Sequence, residues 1–310
     1  MISFLIRRCL ASLLAIFGVS LMVFLLIHFI PGDPVDLLLG EAASAQDKMN
    51  YRKILGLNLP LYEQYFLFVK NLFSTWGYSF SRGGDVLPLI WSRFPSTLVL
   101  AVSGLVMGLL MSLPVGIYTA LKKDTLFERI LSVGALSGMS LPIFILAPLL
   151  TLFFAIRLKW FPVAGYGTFS HLVLPSFALG LGLFGVLTRM IRSSFLDVLG
   201  EDYLRTARAK GLSPIRIVGI HAMKNALIPV VTMLGNIFGG LLAGAVLTET
   251  LFDWPGIGKL FYSAFQSRDY ALIQGIVLWI SLSYFLVNLL VDFLYFIIDP
   301  RIQINGNAEV

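Results

Sequence analysis

Six stretches without Asp, Glu, Lys or Arg punctuate the chain, at 9–30, 95–121, 130–156, 168–188, 225–248 and 270–291; the sixth continues through Asp292 to 298. Each holds the roughly 20 residues that a helix needs to cross a bilayer. A bundle of six spanning helices is the structure this pattern predicts, because backbone polar groups in hydrocarbon must be satisfied within each segment. A membrane barrel would instead alternate polar and apolar residues over about ten positions. Between the first two runs, residues 31–94 are long and only moderately polar. There Tyr62, Tyr65, Phe66, Val69, Leu72 and Phe73 share one helical face, and Glu63, Gln64, Lys70 and Asn71 the other. That spacing predicts a short amphipathic helix, lying on the membrane or packed on the bundle.

Between the fourth and fifth runs, residues 201–229 read as helix, turn, helix. Glu201 and Asp202 suit a helix N-terminus, and Arg205, Arg208 and Lys210 a C-terminus. Gly211 suits the left-handed residue that ends many helices. Ser213 is placed to cap a second helix and Pro214 to occupy its first position. That helix is expected to run apolar and basic until Pro229 bends or breaks it. A helical elbow in water at the mouth of a membrane bundle is a docking element, not a catalytic site.

Composition agrees with the pattern: 57% of the 310 residues are hydrophobic, mean hydropathy is +0.86, and 13% are charged, against about a quarter in soluble domains. The net charge of +6 by itself would suit nucleic acid, but the basic residues are dispersed and no aromatic-and-basic face accompanies them. It reads as topology instead. Thirteen basic residues flank the runs on one side and four occupy the short loops on the other, which puts both termini and the elbow in the cytoplasm. The first run is too long for a signal-peptide core, and it is expected to stay as a helix. Cys9 stands alone, with neither a disulfide nor a metal partner.

Candidate chemistry is sparse. His28, His171 and His221 are scattered, and no Gly-x-Ser-x-Gly elbow occurs. The loop GIGKL at 256–260 lacks the Ser or Thr and the first glycine of a phosphate loop. The chain is therefore expected to have no catalytic residues and to hydrolyse no nucleotide. Glu249 at the outer end of the fifth run, and Asn288 and Asp292 in the sixth, are expected to be structural polar groups of the bundle rather than a proton relay. Gly104 with Gly108, Gly235 with Gly239 and Gly240 with Gly244 have the spacing of close helix contacts.

Longer motifs carry a resemblance over almost the whole chain. RTARAKGL stands at 205–212, HAMKNALIP at 221–229, PGDP at 31–34, LGL at 55–57 and PLYEQY at 60–65. TET follows at 248–250, WPGIG at 254–258, RDY at 268–270, and Asn288 with Asp292. Together they resemble the ABC-importer permease family for dipeptides, oligopeptides, nickel and glutathione, and specifically the first of its two permease types. Two departures stand out. Arg205-Thr206-Ala207 replaces the Glu-Ala-Ala of the general importer motif, with His221, Met223 and Lys224 where that motif has Ile, Leu and Pro; and WGYS at 76–79 stands where the family often has Gly-Asp-Leu-Gly-x-Ser.

The resemblance implies an all-α membrane protein with the six-helix fold of a type I ABC importer permease. Residues 1–94 would form the first helix and external loop, 95–298 the permease core with a coupling loop at 189–229, and 299–310 a cytoplasmic tail. The implied function is the transmembrane pathway of an ATP-driven importer of di- and oligopeptides in the bacterial cytoplasmic membrane. Nickel, glutathione or another small solute is the alternative within the family. A stand-alone secondary transporter is a further alternative, but it should show paired intramembrane charges or broken helices repeated in two halves, and neither is evident. Implied partners are a second permease subunit of different sequence, two ABC ATPases that hold ATP and Mg, an external substrate-binding protein (periplasmic or lipid-anchored) and membrane lipid, with no nucleic acid and no cofactor on this chain. The implied ATPase-coupling residues are Arg205, Thr206, Ala207, Arg208, Ala209, Lys210, Gly211, Leu212, Ser213 and Pro214. Ala207 would be small for close docking, Gly211 would make the turn, and Arg205, Arg208 and Lys210 would meet carboxylates.

Overall fold

The computed structural model describes residues 2–29, 34–40, 43–243 and 245–298. Among these, four helices are long and apolar enough to cross a membrane, Val86–Leu121, Phe169–Leu199, Pro214–Leu242 and Tyr270–Val291. Shorter apolar helices occupy Leu10–Leu25 and Ile143–Arg157. The chain divides into two compact units, one of residues up to 97 together with 255–285, the other of 98–254 together with residues from 286.

In the first unit, helix α1 (Ile2–Phe29) receives the amphipathic helix α4 (Leu61–Asn71) on its second half. Ser20 Oγ lies 2.9 Å from Tyr65 Oη, and Phe24 packs edge-on against Tyr65 and stacks on Phe68. The expected two faces are split differently. Gln64, expected on the polar face, is placed 3.0 Å from His28 Nε2, and its amide NH2 donates to Leu59 O at 2.8 Å. Tyr62, Phe66 and Phe73 remain exposed. The reason is that α1 presents its own hydroxyl and imidazole, so α4 turns an amide toward it.

Two short helices, α2 (Pro34–Leu39) and α3 (Ala45–Ile54), precede α4. A hairpin of β1 (Tyr78–Ser79) and β2 (Gly84–Asp85) follows it, antiparallel with Tyr78 opposite Asp85. The core of this unit joins Val86 and Ile90 from the start of α5 (Val86–Leu121), Ile257 and Leu260 from α13 (Ile257–Gln266), and Leu272 and Ile276 from α14 (Tyr270–Ile298). Ile257 N donates to Thr97 Oγ1 at 2.7 Å, which satisfies one of the free N–H groups at the start of α13.

In the second unit, the third apolar run is not one continuous helix. It divides into α6 (Leu126–Ser140), α7 (Ile143–Leu150) and a π-helical stretch, Thr151–Arg157. The cause is Pro142: the residue before a proline is driven out of the helical region, and Leu141 sits at φ −86, ψ 117. The widening to π geometry comes shortly after Pro148, which has no N–H for the helix ladder. Helix α8 (Phe169–Leu199) then packs along α5 through glycine. A Cβ on Gly180 would come within 2.9 Å of Gly108 N, and one on Gly104 within 2.9 Å of Leu179 Cβ. Two of the glycines picked out by their spacing thus mark a close helix contact.

The fifth run also differs from expectation. Helix α11 (Met223–Leu242) passes through Pro229 without a break. Pro229 and Asn225, whose carbonyl loses its partner, are both exposed, so the defect lies on the outer face of the helix. Helix α11 stops at Leu242, and a separate helix α12 (Val246–Leu251) follows. Gly235 of α11 lies against Val291 of α14, whereas a Cβ on Gly240 would meet open space. Its expected partner Gly244 lies outside the described residues.

Candidate functional site

The elbow begins at Glu201, which takes the N-cap position of α9 (Asp202–Ala209) at φ −69, ψ 145. The helix is strongly two-faced. Leu204 is fully buried and Ala207 is 8% exposed, packed with Ile191, Phe195, Ile217, Ala222 and Ala226. Arg205, Thr206, Arg208, Ala209 and Lys210 are all exposed. Arg205 reaches Asp202 at 3.3 Å, with both side chains in the open. Such a pair contributes at most a few tenths of a kcal/mol, so its cation stays available to a partner.

Gly211 ends the helix at φ +78. Its N–H donates to Arg208 O at 2.9 Å, and Leu212 N donates to Ala207 O at 3.3 Å. These two bonds satisfy carbonyls that the helix end would leave free. Ser213 (φ −64, ψ 145) caps α10 (Pro214–Arg216) with Pro214 at its first position. The Ser213 side chain makes no capping bond; its carbonyl accepts from Ile217 N at 3.0 Å. A π-helical stretch, Ile217–Ala222, links α10 to α11.

A second tie holds the two arms of the elbow. Asn225 Nδ2 donates to Tyr203 Oη at 2.9 Å, and Tyr203 Oη donates to His221 O at 3.3 Å. The elbow is thus a braced bend that presents Arg205, Arg208, Lys210, Arg216, Lys224 and Ile215, 86% exposed, to the surroundings.

Two family models match most of the chain. Residues 112–304 match the binding-protein-dependent transport system inner membrane component, and residues 1–101 match the N-terminal part of the membrane component of such systems. The chain belongs to this family of ABC importer permeases.

The glutathione transport system permease protein GsiC of Escherichia coli K12 is 41% identical over 304 residues, covering 98% of this chain and 99% of that protein. Its counterpart in Shigella flexneri serotype 5b is 40% identical over the same coverage. An inward-facing MetNI methionine ABC transporter aligns with a TM-score of 0.59 at 19% identity, covering 68% of this chain and 96% of that chain; that likeness concerns the fold. This permease is therefore the transmembrane subunit of an ATP-driven importer, an inner-membrane component of a binding-protein-dependent system.

Within the permease, the ten elbow residues from Arg205 to Pro214 are contiguous, but they do not all face the same way. Ala207, expected to be small for docking on a partner, spends its side chain on the permease's own core. That side chain sits in the buried cluster that joins α9 to α8, to the π-helical stretch and to α11. Glu249 is fully buried in α12, and its carbonyl accepts from Trp254 N at 2.7 Å. It is therefore not at the end of a continuous fifth helix, since that helix has already stopped. Asn288 is half-buried in α14, and the side chain of Asp292 lies outside the described residues.

Sequence reasoning missed the Tyr203–Asn225 brace. Its signal was weak: two polar residues 22 positions apart, on arms whose crossing angle no pattern reveals. Leu204 is the anchor that the heptad-like spacing of Leu204 and Ala207 offered and the motif reading passed over. Leu204→Ala is expected to weaken elbow seating by about 2–5 kcal/mol. Limited proteolysis at the elbow basic residues of the membrane-embedded permease should quicken at least tenfold, and an unchanged digestion rate would contradict the anchoring role.

Proposed function

We propose that this permease forms one half of a pathway for short peptides, glutathione-like tripeptides among them, and that the elbow is its coupling element to an ABC ATPase. The full-length 41% identity to a glutathione system permease carries the substrate reading. The partner half is a second permease of different sequence, and two ATPases hold the ATP and Mg. An external binding protein, periplasmic or lipid-anchored, delivers the solute. This chain supplies no catalytic group and no cofactor of its own.

The exposed face of Arg205, Arg208 and Lys210 suits an acidic groove, and Gly211 fixes the direction in which Ser213–Pro214 projects. Closure of the ATPases would draw the elbows together and bias a two-state bundle from inward-open to outward-open. The excess of basic residues around the elbow and termini supports their cytoplasmic placement.

The test is uptake in proteoliposomes of the importer copurified with its ATPases and binding protein. ATP-dependent accumulation of labelled glutathione or of a dipeptide is the expected result. Uptake that proceeds equally without ATP, or ATP-driven uptake of nickel alone, would contradict the proposal.

A further inference from the structure

The first unit contains a cavity of about 360 Å³ that the import reading does not use. It opens between the end of α1, the α3–α4 turn, the β-hairpin and the start of α14. Its walls include the aromatic side chains Phe24, Phe68, Trp76 and Tyr78 beside aliphatic and polar residues. Most of its polar groups are already committed. His28 has both ring nitrogens against oxygens, Phe24 O at 2.6 Å and Gln64 Oε1 at 3.0 Å. Asp269 Oδ2 accepts from Ser79 Oγ, Ser81 Oγ and Ser81 N.

Among the described residues, Asn71 and Tyr78 in the wall are exposed and make no side-chain hydrogen bond, and two less exposed polar groups are also uncommitted. Gln274 is 7% exposed, lines the cavity, and its amide has no hydrogen-bond partner among the described residues. Arg268 is half-buried, lines the same cavity, and its guanidinium has no ion pair or hydrogen bond there. Neither group is tied to another side chain, so both are free to meet a ligand that enters the cavity. A guanidinium offers a planar fork that matches a carboxylate or a phosphate, and the amide NH2 offers a third donor.

We propose that this cavity is a binding site for an oxyanion carried on an apolar body, held by Arg268 and Gln274 with the apolar body against Phe24, Phe68 and Trp76. The volume is that of a small-ligand site. Two sources share this chemistry, the head group of an anionic phospholipid and the carboxylate of a free apolar solute. The site is distinct from the elbow and does not depend on the identity of the imported substrate.

The experiment uses the purified importer complex in neutral detergent, with binding read by native mass spectrometry. Four probes are compared: dihexanoyl-phosphatidylglycerol, dihexanoyl-phosphatidylcholine, N-acetyl-Leu-Phe and its C-terminal amide. At least one anionic probe should bind about tenfold more tightly than its neutral counterpart, and R268Q and Q274L should each remove about tenfold of that affinity. Binding of phosphatidylglycerol identifies the lipid as the source, and binding of the free peptide acid identifies the solute. Q274L leaves no unpaired polar group behind, so it keeps the test intact should R268Q fail to assemble. Equal affinity for charged and neutral probes, or a preference that survives the variants, would overturn the site.

Discussion

Gly211→Val should lower ATP-driven uptake at least tenfold while the amount of permease in the membrane stays normal. The backbone at Gly211 lies at φ +78, and a Cβ there would meet nothing within 4 Å. No clash is involved, so the whole effect comes through the backbone. A β-branched residue in the left-handed region is strained by about 1–2 kcal/mol or more. The strain is relieved by leaving that region, which breaks the bonds from Gly211 N to Arg208 O and from Leu212 N to Ala207 O. The segment from Ser213 to Arg216 would then project in another direction. Gly211→Asn is the control, because asparagine tolerates the left-handed region; it should keep most of the activity. Equal loss in both variants would contradict the backbone account.

Asp269→Ala should lower the stability of the permease by about 3 kcal/mol or more, read as a fall in thermal midpoint and in yield after extraction. The carboxylate is 6% exposed and gathers the hairpin onto α14. Ser79 Oγ and Ser81 Oγ each donate at 2.7 Å and Ser81 N at 3.1 Å, while Leu272 N caps the other oxygen at 3.2 Å. Removal of the acceptor leaves the Ser79 hydroxyl and the Leu272 N–H buried and unpaired and releases the exposed Ser81 from the hub, which explains why one side chain has so large an effect. Ser79→Ala removes one donor to the carboxylate and the acceptor of Arg82 N–H, which lies on an exposed residue, and should cost only about 1 kcal/mol. Comparable losses in the two variants would contradict the view that the carboxylate is the hub.

How much of this was legible in the sequence follows from what each signal depends on. Runs of apolar residues report burial in lipid directly, so the positions of the spanning segments were readable. Their continuity was not. Leu141–Pro142 breaks the third run, whereas Pro229 leaves the fifth intact. Whether a proline ends a helix depends on what surrounds the carbonyl it strands, and that is a tertiary fact. In the elbow, Gly211 and Pro214 were readable because backbone geometry limits each to one kind of position. The inward turn of Ala207 was not, because a motif position says nothing about which neighbour the side chain meets. The Asp269 hub joins residues 188 and 190 positions apart, and no local pattern carries such a pairing.

The most direct test of the account is disulfide or maleimide cross-linking in intact membranes from single cysteines on the exposed face of the elbow, at Arg208 and at Ser213, with Ala207 as the buried control. The account predicts capture of an ABC ATPase subunit from Arg208→Cys and Ser213→Cys, with a yield that changes when ATP is added, and little or none from Ala207→Cys. Capture of no ATPase from either exposed position would contradict the claim that this bend couples the nucleotide cycle to the pathway.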